Sequence, residues 1–259
     1  MDGARSPVRL FASDIDDTIL GDAATAEQFR IAWESLDADQ RPLLVYNTAR
    51  SIGDTRWLLL DRRLPEPEFI IGGLGTEMHD PVDALAAEEF RASIAAGWNR
   101  PEVERVVEAL PGVRRRAQDF PNPCRSSWHW PCATHGDIAR AEILLKKAGL
   151  EVAVNYTGGM CLDIIPRGAG KGNALTWLCR RIAVPLDAVL VAGASGDNSS
   201  MFALAGVRGI LVPNASRELF IGTGPFKPLI TRKKMAEGVL AGLEHFGIFD
   251  RVVSPAEHA

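Results

Sequence analysis

Short apolar runs rich in valine, isoleucine, leucine and phenylalanine alternate along this chain with longer segments whose apolar residues return every three or four positions. The first pattern is that of strands buried on both faces, the second that of helices with one buried stripe. Strands are predicted over residues 8–13, 43–47, 69–72, 188–192 and 209–212, and helices over 25–36, 52–61, 172–182 and 199–205. A last helix is expected over 231–245, with Thr231 as its cap. Such alternation builds βαβ units, so the expected fold class is α/β with a mostly parallel sheet.

From about residue 81 to 162 the rhythm changes. Pro101 opens a helix over 102–110, and another is expected over 137–148, closed by Gly149. Strand-like pieces at 113–117, 126–130, 151–155 and 161–165 surround them. This stretch reads as a smaller α+β module inserted in the parallel one, dividing the chain into a core (1–80), a cap (81–162) and a second part of the core (163–259).

Composition narrows the function. Twenty-nine basic against 33 acidic residues leave a net charge of −4, too near balance to argue for a nucleic-acid partner. Arg114, Arg115 and Arg116 form the one compact basic run and read as a solvated strand edge or turn rather than a phosphate patch. Apolar residues make up 46% of the chain, enough for a core, yet no run approaches the roughly 20 residues that span a bilayer. Residues 1–7 lack the apolar stretch of a signal peptide. Cys124, Cys132, Cys161 and Cys179 lack metal spacing and read as free thiols, which together suggests a cytoplasmic location. No coiled-coil pattern argues against a monomer.

The chemistry concentrates at predicted strand ends. Phe11-Ala12-Ser13-Asp14-Ile15-Asp16 delivers two carboxylates at the carboxyl end of the first strand, where open α/β sheets bind ligands. Like charges that close repel, which pushes one towards its acid form unless a cation intervenes. Val45-Tyr46-Asn47-Thr48-Ala49-Arg50 runs a strand into a hydroxyl and an arginine, a combination that holds a phosphate or simply caps a helix. Lys171 opens a helix after Gly168-Ala169-Gly170, where it opposes the helix dipole and is better used facing an anion. Val191-Ala192-Gly193-Ala194-Ser195-Gly196-Asp197-Asn198 ends a strand in a small-residue loop with one carboxylate.

In order along the chain, these segments resemble the haloacid-dehalogenase-like superfamily. With Phe69-Ile70-Ile71-Gly72-Gly73-Leu74-Gly75-Thr76-Glu77 and Cys161-Leu162-Asp163-Ile164-Ile165-Pro166, they resemble its sucrose-phosphate phosphatase branch. Gln118, Asn122-Pro123, Arg125 and Ser127 resemble that branch's sugar-contacting run. The resemblance implies a Rossmann-like core with an inserted mobile cap, and Mg²⁺-dependent hydrolysis of a sugar phosphate through an aspartyl-phosphate. Asp14 would be the nucleophile and Asp16 the general acid and base. Thr48 and Lys171 would hold the phosphoryl oxygens. Arg50, Gln118, Arg125, Ser127 and Asn173 would contact substrate, and Mg²⁺ would lie on Asp14, the Asp16 carbonyl and Asp197.

Two departures stand out. The branch usually ends its fourth motif in Gly-Asp-Ser-Gly-Asn-Asp, and here Ala194 takes the place of the first, metal-binding aspartate while Asp197-Asn198 reverses the last pair. The expectation is that Asp197 serves the metal with Ser195 and Asn198 in support; the alternative is a degenerate sugar-phosphate-binding protein. Second, Ala49 replaces the usual glycine, which a negative φ tolerates. Arg50 then faces the sugar or forms a structural salt bridge, Asp17 is an outward turn residue, and Glu77 and Asp163 are hinge or substrate residues. Trp128 and Trp130 share a strand face, as a sugar platform or as packing.

Overall fold

The computed structural model describes residues 6–39, 41–116 and 122–249. The chain begins β1 (Leu10–Ser13), α1 (Ala23–Glu34), β2 (Leu43–Asn47), α2 (Ile52–Leu60), β3 (Phe69–Gly72) and β4 (Glu77–His79). It continues through α3 (Ala86–Ile94), α4 (Arg100–Glu108), β5 (Arg114–Arg115), β6 (Ser126–His129), α5 (His135–Lys147), β7 (Val152–Thr157) and β8 (Cys161–Pro166). It then returns through α6 (Lys171–Arg181), β9 (Val189–Gly193), α7 (Ser199–Phe202), β10 (Arg208–Leu211), α8 (Arg217–Thr223), β11 (Leu229–Ile230) and α9 (Met235–His245).

Seven strands form the larger sheet in the order β11-β10-β9-β1-β2-β3-β4, parallel except for the antiparallel β3–β4 pair. Alternation along the buried strands splits their side chains between two apolar layers. Leu10, Ala12, Val45 and Val191 face α6 and α7, where Leu175, Leu178 and Phe202 pack. Phe11, Leu44, Tyr46 and Leu190 face α1 and α9, where Phe29, Trp33, Val239 and Leu243 pack. The sheet grows outward from β1 in both directions, β2 on one side and β9 on the other. The carboxyl ends of β1 and β9 therefore meet at the topological switch point, where doubly wound sheets bind ligands.

The smaller sheet, in the order β5-β6-β8-β7, is antiparallel. Its strands also alternate. Trp128, Trp130, Leu162 and Ile164 pack under α4 and α5, with Val103, Val107 and Leu145. Trp128 and Trp130, 1% and 6% exposed, are thus packing residues and not a sugar platform. The expected division at residue 162 falls inside β8. Helix α3, expected in the cap, packs on the core: Phe90 meets Trp177 of α6 edge-on at 5.2 Å, and Arg181 pairs with Asp83 and Glu89.

Thr231 does not cap the last helix. Its amide donates to Leu211 O at 3.0 Å, continuing the β11 pairing, and α9 begins only at Met235. Where the chain leaves and re-enters the core, Gly75 takes φ +79° and a Cβ there would lie 2.3 Å from the Gly170 carbonyl carbon. Only glycine lets these two segments cross so closely. No helix among the described residues is long and apolar enough to cross a membrane, and the four cysteines are unbridged.

Candidate active site

Asp14 follows the last residue of β1 and is 4% exposed. Its backbone amide continues the sheet, donating to Ala192 O at 3.0 Å, so the side chain is placed by the ladder rather than by a free loop. Oδ1 accepts the Ile15 amide at 2.8 Å. Oδ2 lies 2.9 Å from Lys171 Nζ and accepts from Asn198 Nδ2 at 2.7 Å and Ser195 Oγ at 3.3 Å.

Lys171, the first residue of α6, is 2% exposed, and its ammonium also lies 2.8 Å from Asp197 Oδ2. The position at the positive end of a helix is unfavourable for a cation and is offset by these two carboxylates. The helix start is itself tied to the floor of the site: Asn47 donates its amide to Lys171 O at 2.9 Å.

Burial pushes the Asp14 carboxyl above its usual range, with the Asp197 charge adding to it and Lys171 only partly opposing. Burial acts on Asp197 in the same direction, but there the Lys171 charge and the Ser195 hydroxyl outweigh it and hold the carboxyl low. For Lys171, burial disfavours the ammonium and the two carboxylates more than compensate, so it is held protonated. One cation for two anions leaves the cluster short of positive charge.

The loop after β9 is shaped by Asn198. Its Oδ1 accepts the amides of Ala194 at 2.8 Å and Ser195 at 3.1 Å while its Nδ2 reaches Asp14. A Cβ at Gly193 would fall 2.3 Å from that oxygen, so glycine is required. Ser195 donates its hydroxyl to Asp197 Oδ1. Ala194 is 3% exposed, belongs to the same buried apolar cluster as Phe11 and Ile15, and does not line the cleft.

A cleft of about 460 Å³ opens above this cluster, between the core loops and the smaller sheet. Asp14, Asp16, Arg50, Ser195 and Asp197 line its core side; Arg116, Arg125, Ser127 and Asp163 line the other. Thr48, fully buried at the end of β2, lies beneath the lining, and its hydroxyl accepts the Arg50 amide at 3.2 Å. Asp16 is gripped in bidentate fashion by Arg50, Nε at 2.8 Å and Nη2 at 2.6 Å. Asp17 has φ 56°, which aspartate tolerates better than most residues, and is exposed at the cleft edge.

Arg125 joins the two sides. It donates to Asp163 Oδ1 at 2.8 Å and to Ala49 O at 2.7 Å, and Ser127 also donates to Asp163. Asn122 makes a second crossing, donating to Thr76 Oγ1 at 2.7 Å. Ala49 is outside the positive-φ residues, which meets the condition for alanine there. Glu77 accepts the Ile52 amide at 2.9 Å and so steadies the start of α2.

One residue expected in the site stands apart. Asn173 is exposed on α6, spends its amide on Ala169 O at 3.1 Å and does not line the cleft. It is the third residue of α6, on the exposed side of a first turn that buries Lys171, Gly172 and Ala174. Gln118 lies outside the described residues. Conversely, Arg116 was read as a solvated edge and lines the cleft. The available signal was parity: Arg115 shares the Trp128 face, so its neighbour takes the other.

The donor set suits a hard cation. Asp14 and Asp197 present carboxylate oxygens that are both paired with the Lys171 ammonium, and Mg²⁺ needs only one or two carboxylates because it keeps several waters. No cage of three or more acidic, histidine or cysteine side chains exists among the described residues.

Comparison with known proteins identifies the family. The family model described as sucrose-6F-phosphate phosphohydrolase matches residues 7–247. The mannosylfructose-phosphate phosphatase of Agrobacterium fabrum is 33% identical over 95% of this chain and 99% of that protein. Sucrose-phosphatase 2 of Nicotiana tabacum is 30% identical over 85% of this chain, which spans 53% of that protein. The crystal structure of the sucrose-phosphatase of Synechocystis sp. PCC6803 in complex with sucrose and phosphate superposes with a TM-score of 0.83 at 26% identity, covering 93% of this chain and 98% of that one. The chain belongs to the sucrose-6F-phosphate phosphohydrolase family, haloacid-dehalogenase-like hydrolases of phosphoric monoesters.

Proposed function

We propose that this protein is a Mg²⁺-dependent phosphatase of a phosphorylated disaccharide or related glycosyl phosphate, working through an aspartyl-phosphate on Asp14. The observation that carries it is the buried Asp14–Lys171–Asp197 cluster at the switch point, beneath a cleft of sugar size. The names of the relatives, which concern mannosylfructose phosphate and sucrose phosphate, support this substrate class.

Asp14, held by the β1 ladder, attacks phosphorus while the bond to the sugar oxygen breaks. Asp16 gives that oxygen a proton, then takes one from the water that cleaves the acyl phosphate. To do so it exchanges its Arg50 pair for the substrate, which frees the guanidinium for the incoming anion. Lys171 balances charge that the phosphoryl group brings to Asp14, and Thr48 with the adjacent amides fixes its oxygens. Ser127 and Arg125 bound the sugar end. Asp14, the Asp16 carbonyl and Asp197 would hold Mg²⁺, which when bound supplies the positive charge that lets two anions approach.

A second reading follows from Ala194: a protein that holds a sugar phosphate without hydrolysing it. Incubation with Mg²⁺ and sucrose phosphate, mannosylfructose phosphate and glucosylglycerol phosphate separates the two. Phosphate release that chelator abolishes is the expected result. No release from any of them at high enzyme concentration, with binding retained, supports the second reading instead.

A further inference from the structure

The smaller sheet has two faces of opposite character, and strand parity assigns each residue to one. Arg115 pairs in register with Trp128, sets its guanidinium 5.0 Å from that ring, and pairs with Glu104 and Glu108 of α4. It therefore lies on the helix-covered face. Arg116 follows it, with its amide on Ser127 O at 3.0 Å, and so falls on the opposite, cleft-facing side with Ser127, Cys161, Asp163 and Thr157.

The three cleft arginines are in different electrostatic states. Arg50 is neutralised by Asp16 and Arg125 by Asp163. Among the described residues the Arg116 side chain has no carboxylate partner, and its Nη1 lies 4.0 Å from the Cys161 thiol. It is exposed and on the far side of the cleft from the acidic core loops. With the phosphoryl group anchored over Asp14 and Lys171, the part of a ligand that reaches Arg116 is the part farthest from phosphorus.

We propose that Arg116 determines specificity by donating to acceptor oxygens of the distal sugar unit, so that it reads two-unit substrates and not hexose phosphates. The inference rests on the sugar-phosphate reading given above. A guanidinium suits the role because its planar donors engage two vicinal oxygens at once, and a charged hydrogen bond discriminates by about 10- to 100-fold.

The test compares sucrose 6F-phosphate, phosphorylated on its fructosyl unit, with fructose 6-phosphate, its truncated counterpart. Arg116→Ala is expected to lower the ratio of their kcat/KM values by about 10- to 100-fold, chiefly through the KM for the disaccharide, and Arg116→Lys to restore part of it. An unchanged ratio, or an equal loss for both substrates, overturns the proposal. Calorimetry with free sucrose reads the same contact without turnover: weaker binding by Arg116→Ala supports it, and equal affinities overturn it even if no phosphate is ever released. Absence of phosphate release from both substrates by the unmodified protein, beside that binding difference, sinks the phosphatase reading and not this one.

Discussion

Arg50 holds Asp16 with two parallel hydrogen bonds, although the two residues lie on different strands' loops and both side chains remain partly open to the cleft, at 34% and 49%. The bond ties the proposed general acid to a neighbouring loop and keeps it away from Asp14's partners. Because the pair is half-exposed, its net contribution to stability is small, under about 1 kcal/mol. Arg50→Ala is therefore expected to leave urea unfolding within that margin while reducing kcat/KM by more than about tenfold, the loss expected when a charged contact to the substrate anion goes. An equal fall in stability would make the pair structural.

Asp197 is the acidic side chain of the loop after β9, and it shares Lys171 with Asp14. Asp197→Asn should weaken Mg²⁺ uptake measured by calorimetry and lower phosphate release by about 100-fold or more. Undiminished uptake would remove Asp197 from the metal site.

Ala194 offers the reverse experiment. Ala194→Asp puts a carboxylate into a buried apolar cluster, on the loop that already carries Asp197, so the metal-free protein should unfold at a lower temperature. Mg²⁺ should then raise its Tm by more than it raises that of the unmodified protein, since binding to the native state alone stabilises it. Equal metal-induced shifts would show that position 194 does not face the ion.

The Arg125–Asp163 pair is buried, with side chains 11% and 6% exposed, and Arg125 also donates to Ala49 O. Arg125→Ala strands the Asp163 charge and should cost about 3–5 kcal/mol in denaturant unfolding. Replacing both residues together, Arg125→Met with Asp163→Leu, should recover most of that loss. A double variant as unstable as the single one would place the effect in the Ala49 contact instead.

Glu77 gives a pH dependence of defined sign. Burial raises its carboxyl above the usual 4.5, more than the Ile52 amide and nearby arginines lower it. A raised acid binds its proton more readily folded than unfolded, so its contribution is full below that ordinary value and is lost as pH rises through the folded one. Glu77→Gln keeps the acceptor for Ile52 and should flatten this decline, so that the variant gains on the unmodified protein as pH rises. Parallel stability curves would show that Glu77 titrates at its ordinary value.

Much of the site was legible along the chain because a parallel sheet puts its ligand loops at strand ends, and each such loop follows an unmistakable apolar run. Asp14 after 8–13, Thr48 after 43–47 and Asp197 after 188–192 were found this way. Short elements were not: β4 has only three residues, α3 shows its stripe only through Ala86, Phe90 and Ile94, and α8 lies in a segment without a clear apolar stripe. Thr231 has cap chemistry, but its amide was claimed by Leu211 of a strand distant in sequence.

By itself, the order of apolar runs determined the α/β core, and the charged residues after them marked the carboxylates and lysine of the candidate site. The tertiary structure alone decided how charges were shared: Lys171 between Asp14 and Asp197, Arg50 on Asp16, Arg125 on Asp163, and Arg116 left facing the cleft. Pairing and burial depend on residues 34 to 157 positions apart in these examples and on which face a strand turns to its neighbour. Such distances exist only once the sheets have closed.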